Sequence, residues 1–253
     1  MSDLAIQSTD EATLGLSQWQ RITNTFTAPS KAFEDIQRGH KSWWLPFILL
    51  VAATYILFAA ITFQVGWGQV VENTIHFNPK TEARLSQLTP EQRASTDKMT
   101  RYFVEGTFIA SPLLTLAEVA LLSVGLWGTI NFAFGGKAKF GSIFTVWMYA
   151  SLPSIVTTLL GTVAIFAGGA PESFNIKNLA PTNIGAFLPP LETNKALYSL
   201  ATSLDAVTIW TLVLLAIGTA TVAGVKRTSG YIAVFGWWAV FVLAGAGIAL
   251  ITG

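Results

Sequence analysis

The sequence predicts an all-α membrane protein: a compact bundle of about five transmembrane helices, N-in/C-out, with an interfacial N-terminal helix and a helical outer loop. Three observations carry this. Charged residues make up 11% of the 253 residues and hydrophobic ones 52%, whereas a soluble domain carries about a quarter of its residues as charges. Mean hydropathy is +0.53. The apolar residues fall in five blocks, each with the roughly 20 residues needed to cross about 30 Å of hydrocarbon.

Residues 1–12 hold Asp3, Asp10 and Glu11, and no basic residue precedes Arg21. That is unlike the positive n-region of a cleaved leader, so the segment is expected to be retained, as a disordered tail. Residues 13–42 form the cytoplasmic, interfacial segment. Trp19, Ile22 and Phe26 recur at helical spacing. Pro29 then opens a second stripe through Phe33 and Ile36, beside Lys31 and Arg38. Residues 43–252 are the membrane domain, with spans at 43–65, 107–134, 144–168, 207–225 and 231–252. Pro112 marks a kink near the start of the second span. Tryptophans such as Trp43, Trp44, Trp127 and Trp210 sit mostly toward span ends, the level that amphipathic rings favour. In the loop 66–106, Thr89 and Pro90 read as the N-cap and first position of a helix through Tyr102, half of a helical hairpin. The loop 169–203 is rich in Gly, Pro and Asn and predicts irregular backbone; 194–204 turns helical and feeds the fourth span.

Orientation follows from Lys and Arg. The short loops 135–143 and 226–230 carry only positive charge, and the positive-inside rule is strongest for short loops. They join 1–42 in the cytoplasm.

A net charge of +1 gives no electrostatic footing for a nucleic-acid partner. With no cysteine, disulfides, thiolate metal sites and catalytic thiols fall away together. Gly135-Gly136-Lys137 is not a phosphate loop, because Asn131 stands five residues before Gly136 and Ala138 replaces the Ser or Thr that would hold magnesium. No nucleophile elbow or His-Glu-x-x-His pair exists. The expectation is a protein that is not an enzyme and takes no cofactor or metal.

One of the fourteen acids lies within a span. It is Glu118, about 15 Å from the predicted outer end of its helix. Ser111, Thr115, Glu118, Leu122, Gly125 and Thr129 follow at steps of three and four, forming a small, polar stripe that predicts an inward-facing carboxyl. Ser154 and Thr158 on the third span are the candidate receivers. Two roles stay open: a structural carboxyl bonded to a neighbouring hydroxyl or carbonyl, or a group that handles a proton or substrate. Ala216, Ala220 and Gly224, and Gly245 with Ala249, read as close helix packing.

Phe26-Thr-Ala-Pro29 with Ala32-Phe33, Trp147-Met-Tyr149-Ala-Ser-Leu-Pro153, and Ser203-Leu-Asp205 with Trp210 resemble the Yip domain family of integral membrane proteins, named for Ypt-interacting proteins. The resemblance covers residues 20–252 and points to a bacterial member. It implies a compact five-helix bundle with a cytoplasmic N-terminal region. Eukaryotic relatives are linked to Rab GTPases and vesicle traffic, and some bacterial relatives accompany ABC-type efflux systems. This chain lacks the long acidic, aromatic N-terminus of the eukaryotic pattern, which leaves GTPase binding open.

The functional expectation is a scaffold or accessory subunit of a membrane transport, trafficking or envelope assembly. It would sit as a multi-pass protein in the inner or plasma membrane, with other membrane proteins, possible ABC-type efflux components or a second copy, as partners. The rival is a small transporter or permease that uses Glu118.

Overall fold

The computed structural model describes residues 15–252, so the expected tail 1–12 lies outside the described residues. Among these the secondary structure is helical, apart from one antiparallel bridge between Asn183 and Asp205. The elements are α1 (Gln18–Thr27), α2 (Pro29–Gln37), α3 (Trp44–Ala60), α4 (Trp67–His76), α5 (Pro79–Leu85), α6 (Pro90–Ile109), α7 (Ser111–Gly128), α8 (Phe140–Ala150), α9 (Ser154–Phe166), α10 (Lys195–Ser203), α11 (Ala206–Ala223) and α12 (Arg227–Thr252). A π-helical turn follows α3 at Ile61–Val65 and another follows α7 at Thr129–Ala133.

Five stretches are long and apolar enough to span a bilayer: Trp44–Val65, Ser111–Ala133, Phe140–Phe166, Ala206–Ala223 and Arg227–Ile251. The third and fifth spans start earlier than expected, at Phe140 and Arg227, and four further differences each have a local reason. The second span starts at Ser111 because α6 ends at Ile109, with Ala110 as its C-cap. Pro112 then sits in the first turn of a new helix, where its missing N–H has no intrahelical partner to lose. The third span is two helices rather than one, broken at Pro153. Helix α6 runs past Tyr102 to Ile109, opened by a capping box between Thr89 and Gln92. Finally, α10 does not feed α11: Leu204 leaves helical geometry at φ −84°, ψ 70°.

Contacts divide the chain into two compact units. One holds residues up to Phe47, Val119–Ala150 and Leu212–Phe235. Its fully buried side chains include Phe33, Ile36, Ile130, Ile143, Val146, Met148, Tyr149 and Leu215. Gly218 on α11 makes room for Phe33 and Val146: a Cβ there would lie 2.5 Å from Val146 Cγ1. Gly230 on α12 lets that helix reach Ala216 and Ala220, both buried, which realises the small-residue packing expected on the fourth span. Gly224 serves a different end, closing α11 at φ +68° where a side chain would be strained. The loop after the second span is pinned by Asn131, whose side chain donates to Ala138 O at 3.0 Å and accepts from Ala138 N at 2.9 Å.

The other unit holds Ile48–Glu118, Ser151–Thr211 and the chain from Gly236 onward. Its core gathers Leu57, Ile61, Trp67 and Val70, with Phe58, Phe108, Phe174 and Leu179 packed against them. The irregular loop is tied in by Asn73, whose Nδ2 donates to Pro171 O at 2.7 Å and Phe174 O at 2.9 Å. A buried amide that satisfies two loop carbonyls fixes backbone that has no ladder of its own.

Candidate functional site

Helix α1 opens with a capping box: Ser17 Oγ accepts from Gln20 N, and Gln20 Oε1 from Ser17 N at 2.9 Å. Its amphipathicity is inverted relative to a soluble helix. Polar Arg21 and Thr25 are buried, while Trp19 is 62% exposed and Phe26 40% exposed. The predicted stripe of Trp19, Ile22 and Phe26 therefore turns away from the unit's core.

Arg21 is the centre of the buried side. Its guanidinium gives four hydrogen bonds. Nε donates to Asp35 Oδ2 at 2.9 Å, Nη2 to Leu16 O at 3.1 Å, and Nη1 to Ser42 O and Tyr149 Oη, while Nη2 also lies 2.8 Å from Asp35 Oδ2 as an ion pair. Asp35 comes from α2; its Oδ1 accepts from Leu16 N and lies 2.9 Å from His40 Nδ1. Tyr149, on α8, donates to Ser42 O at 2.9 Å. Removing two charges from water costs several kcal/mol per ion unless geometry and further hydrogen bonds offset it. Here four hydrogen bonds from Arg21 and one from Leu16 N to Asp35 offset that cost, so the network holds α1, α2 and α8 in one arrangement. Sequence reading counted Arg21 only as a topology charge and passed over Asp35. The available signal was that Arg21 lies on the face opposite Trp19 and Phe26.

The residues carrying the family resemblance divide between the units. Pro29 starts α2, and Phe33 and Tyr149 are buried within the first unit. Pro153, Asp205 and Trp210 belong to the second. Asp205 caps α11: its Oδ1 accepts from Thr208 N at 2.7 Å, its Oδ2 accepts from the Thr182 hydroxyl, and Ala206 N donates to Thr182 O at 2.9 Å. Losing an N-cap carboxylate costs about 0.5–2 kcal/mol. Asp205→Ala is accordingly expected to lower the thermal midpoint in detergent, with Asp205→Asn retaining most of the stability. An unchanged midpoint in the alanine variant would mean the cap contributes nothing.

The polar groups assigned to the membrane do not converge. Ser154 Oγ donates to Ser151 O and Thr158 Oγ1 to Ser154 O, each along its own chain, and neither is joined to Glu118. Ser111 Oγ is buried without a partner, and Thr115 is half-buried. The inward orientation expected for Glu118 is corrected: the residue is exposed. The buried line of α7 and its continuation is Val119, Ser123, Leu126 and Ile130. Glu118 lies about 100° round the helix from Val119, next to exposed Leu114 and Leu121. Because the span begins at Ser111, the carboxyl is about 10 Å along the axis from its start rather than 15 Å. Among the described residues no group of three or more His, Asp or Glu side chains could hold a metal ion.

Comparison with known proteins adds a family. The family model described as the Yip1 domain matches residues 23–248. That stretch contains Pro29, Phe33, Tyr149, Pro153, Asp205 and Trp210, together with Asp35 of the buried pair. No curated protein and no solved structure matches the chain. Matched over most of its length and carrying five helices able to span a bilayer, the chain belongs to the Yip1 domain family of membrane proteins.

Proposed function

We propose that the protein acts without catalysis, as a scaffold or accessory subunit of a transport, trafficking or envelope assembly in a bacterial inner membrane. The observation that carries this reading is Glu118. An ionisable group within a span costs about 2.5–3.5 kcal/mol on insertion scales and almost always faces protein or a watery cavity. On this chain it is exposed, on a face shared with Leu114 and Leu121. A helix of another membrane protein, an efflux component or a second copy, supplies the polar partner. The locked pair α1 and α2 supplies a second contact surface.

The decisive measurement is co-purification from native membranes in mild detergent. Wild type and Glu118→Gln, which keeps a hydrogen-bonding head, are expected to retain the same partner, and Glu118→Leu to lose it. Replacing 19–41 by a neutral linker, with the spans still inserted, is expected to abolish the cellular phenotype. Should the bare bundle suffice, or should Glu118→Gln keep its partner and lose all activity, the rival transporter reading takes over.

The N-in/C-out arrangement belongs to the same proposal. The basic loops 135–143 and 226–230 lie in one unit with α1 and α2, and Arg227 Nη2 donates to Ser30 Oγ at 2.9 Å, which supports a common side for all three. Reporter fusions at Gly136 and Gly253 are expected to report opposite sides of the membrane; a shared side would end the five-span reading.

A further inference from the structure

A cavity of about 280 Å³ lies within the second unit, where the loops meet the last turns of the fifth span at Ala249. Its lining includes Lys177, Lys195, Asn78, Asn175, Asn178 and Tyr198, and no carboxylate. The hydrogen-bond accounting makes it a donor site. Asn78 Oδ1 accepts from Thr81 N, Asn175 Oδ1 from Lys177 N, and Asn178 Oδ1 from Asn183 Nδ2. Each amide oxygen is spent, which fixes the amide orientation and leaves each NH₂ without a protein acceptor. Lys195 Nζ gives one hydrogen bond, to Pro190 O at 3.1 Å, and keeps two N–H groups. Two ammonium groups, three amide NH₂ groups and a phenol thus line one small space with no acid to neutralise them.

We propose that this cavity binds a phosphate ester. Phosphate offers several strong acceptor oxygens to donors that arrive from several directions, and lysine serves it as a point charge. Ala249 is near the end of a helix able to span the bilayer, and Lys80 Nζ donates to Ile251 O there at 3.2 Å. That is headgroup depth, where a phospholipid phosphate is at hand. A second cavity of about 590 Å³, whose wall carries Glu172 and His76, shares Phe77, Asn175, Asn178, Pro190 and Tyr198 with the first; the phosphate belongs in the first, which has no acid, and the second gives room for the alcohol esterified to it. The same chemistry reaches the site from two sources, a lipid headgroup or a soluble phosphate ester.

The test uses the full chain in nanodiscs. One arm measures phosphatidylglycerol retained on the protein by native mass spectrometry; the other titrates sn-glycerol 3-phosphate into nanodiscs of neutral lipid and reads heat. Hydrogen bonds to charged groups are worth about 1.5–3 kcal/mol each, so the paired variant Lys177→Ala/Lys195→Ala is expected to bind at least about tenfold more weakly. Asn175→Asp keeps the acceptor that Lys177 N needs and adds a negative charge, so it is expected to fold and lose binding as well. Lys98→Ala removes an equal charge outside the cavity and is expected to bind as wild type. Where the lysine pair and Asn175→Asp lose the binding, lipid retention without a glycerol phosphate response assigns the headgroup and the converse the soluble ester; either upholds the site. Wild type that binds in neither arm, or binding in either arm that ignores these variants, overturns it.

Discussion

Asp35→Ala is expected to cost about 3–5 kcal/mol, the range for breaking a buried ion pair by removing one partner. The reason is what stays behind. Arg21 is 2% exposed, so truncating Asp35 leaves a desolvated guanidinium whose Nε–H has lost its acceptor and whose charge has lost its partner. A loss of this size is comparable to the whole stability of a marginal domain, so the variant is expected to give low yield and a much lower thermal midpoint. Removing both charges together, as Arg21→Met/Asp35→Leu, is expected to recover part of the loss, since apolar replacement of a buried pair is often neutral or favourable. Recovery stays incomplete because Leu16 O, Ser42 O and Tyr149 Oη lose the donors that Arg21 supplied. Thermal unfolding of the four proteins in one detergent closes the double-mutant cycle. If Asp35→Ala melts with wild type, the pair is solvated and does not hold α1 in place.

Gly230→Leu is expected to be the second severe lesion. Even a Cβ at this position would lie 2.3 Å from Ala216 O and 2.9 Å from Ala220 Cβ. The nearest obstacle is backbone within a helix, so α12 itself must move away from α11. Overpacking of this kind costs about 1–3 kcal/mol, and occasionally more. Gly236→Ala on the same helix meets nothing within 4 Å. It is expected to be neutral or stabilising, because glycine inside a helix costs about 1 kcal/mol relative to alanine. The midpoints of the two variants, measured side by side, separate close packing from propensity. Equal midpoints would show that the two helices do not touch at Gly230.

The spans were legible in the sequence because hydrocarbon demands long uninterrupted apolar runs, and the second was shortened at its start by a local device, the C-cap at Ala110. The packing glycine on the fifth span was not legible. Gly230 sits in the short basic loop of the topology reading, and its role appears only once α12 is seen to start at Arg227. The buried pair was missed for another reason. Arg21 and Asp35 are fourteen residues apart and meet across a helix–helix turn, and no periodicity links the faces of two helices. Glu118 was misplaced because its small, polar stripe runs beside the buried line of Val119, Ser123 and Leu126 rather than along it. A stripe of small residues identifies a flank of a helix, not which flank is covered. The donor-lined cavity drew no notice because Lys177 and Lys195 come from irregular loop and a helix start, where residue spacing carries no geometry.

The four hydrogen bonds of Arg21 restrict how this sequence can drift. Lysine would keep the charge but offers three donors from one point in place of a planar set of five, so Arg21→Lys loses at least one of the four bonds. Without the guanidinium, Asp35 is a buried carboxylate without its cation, and Tyr149 keeps only Ser42 O as a partner for its hydroxyl. Lineages descending from this chain are therefore expected to keep all three residues or to exchange them together, and a homologue with phenylalanine at the position of Tyr149 is expected to have altered the position of Arg21 as well.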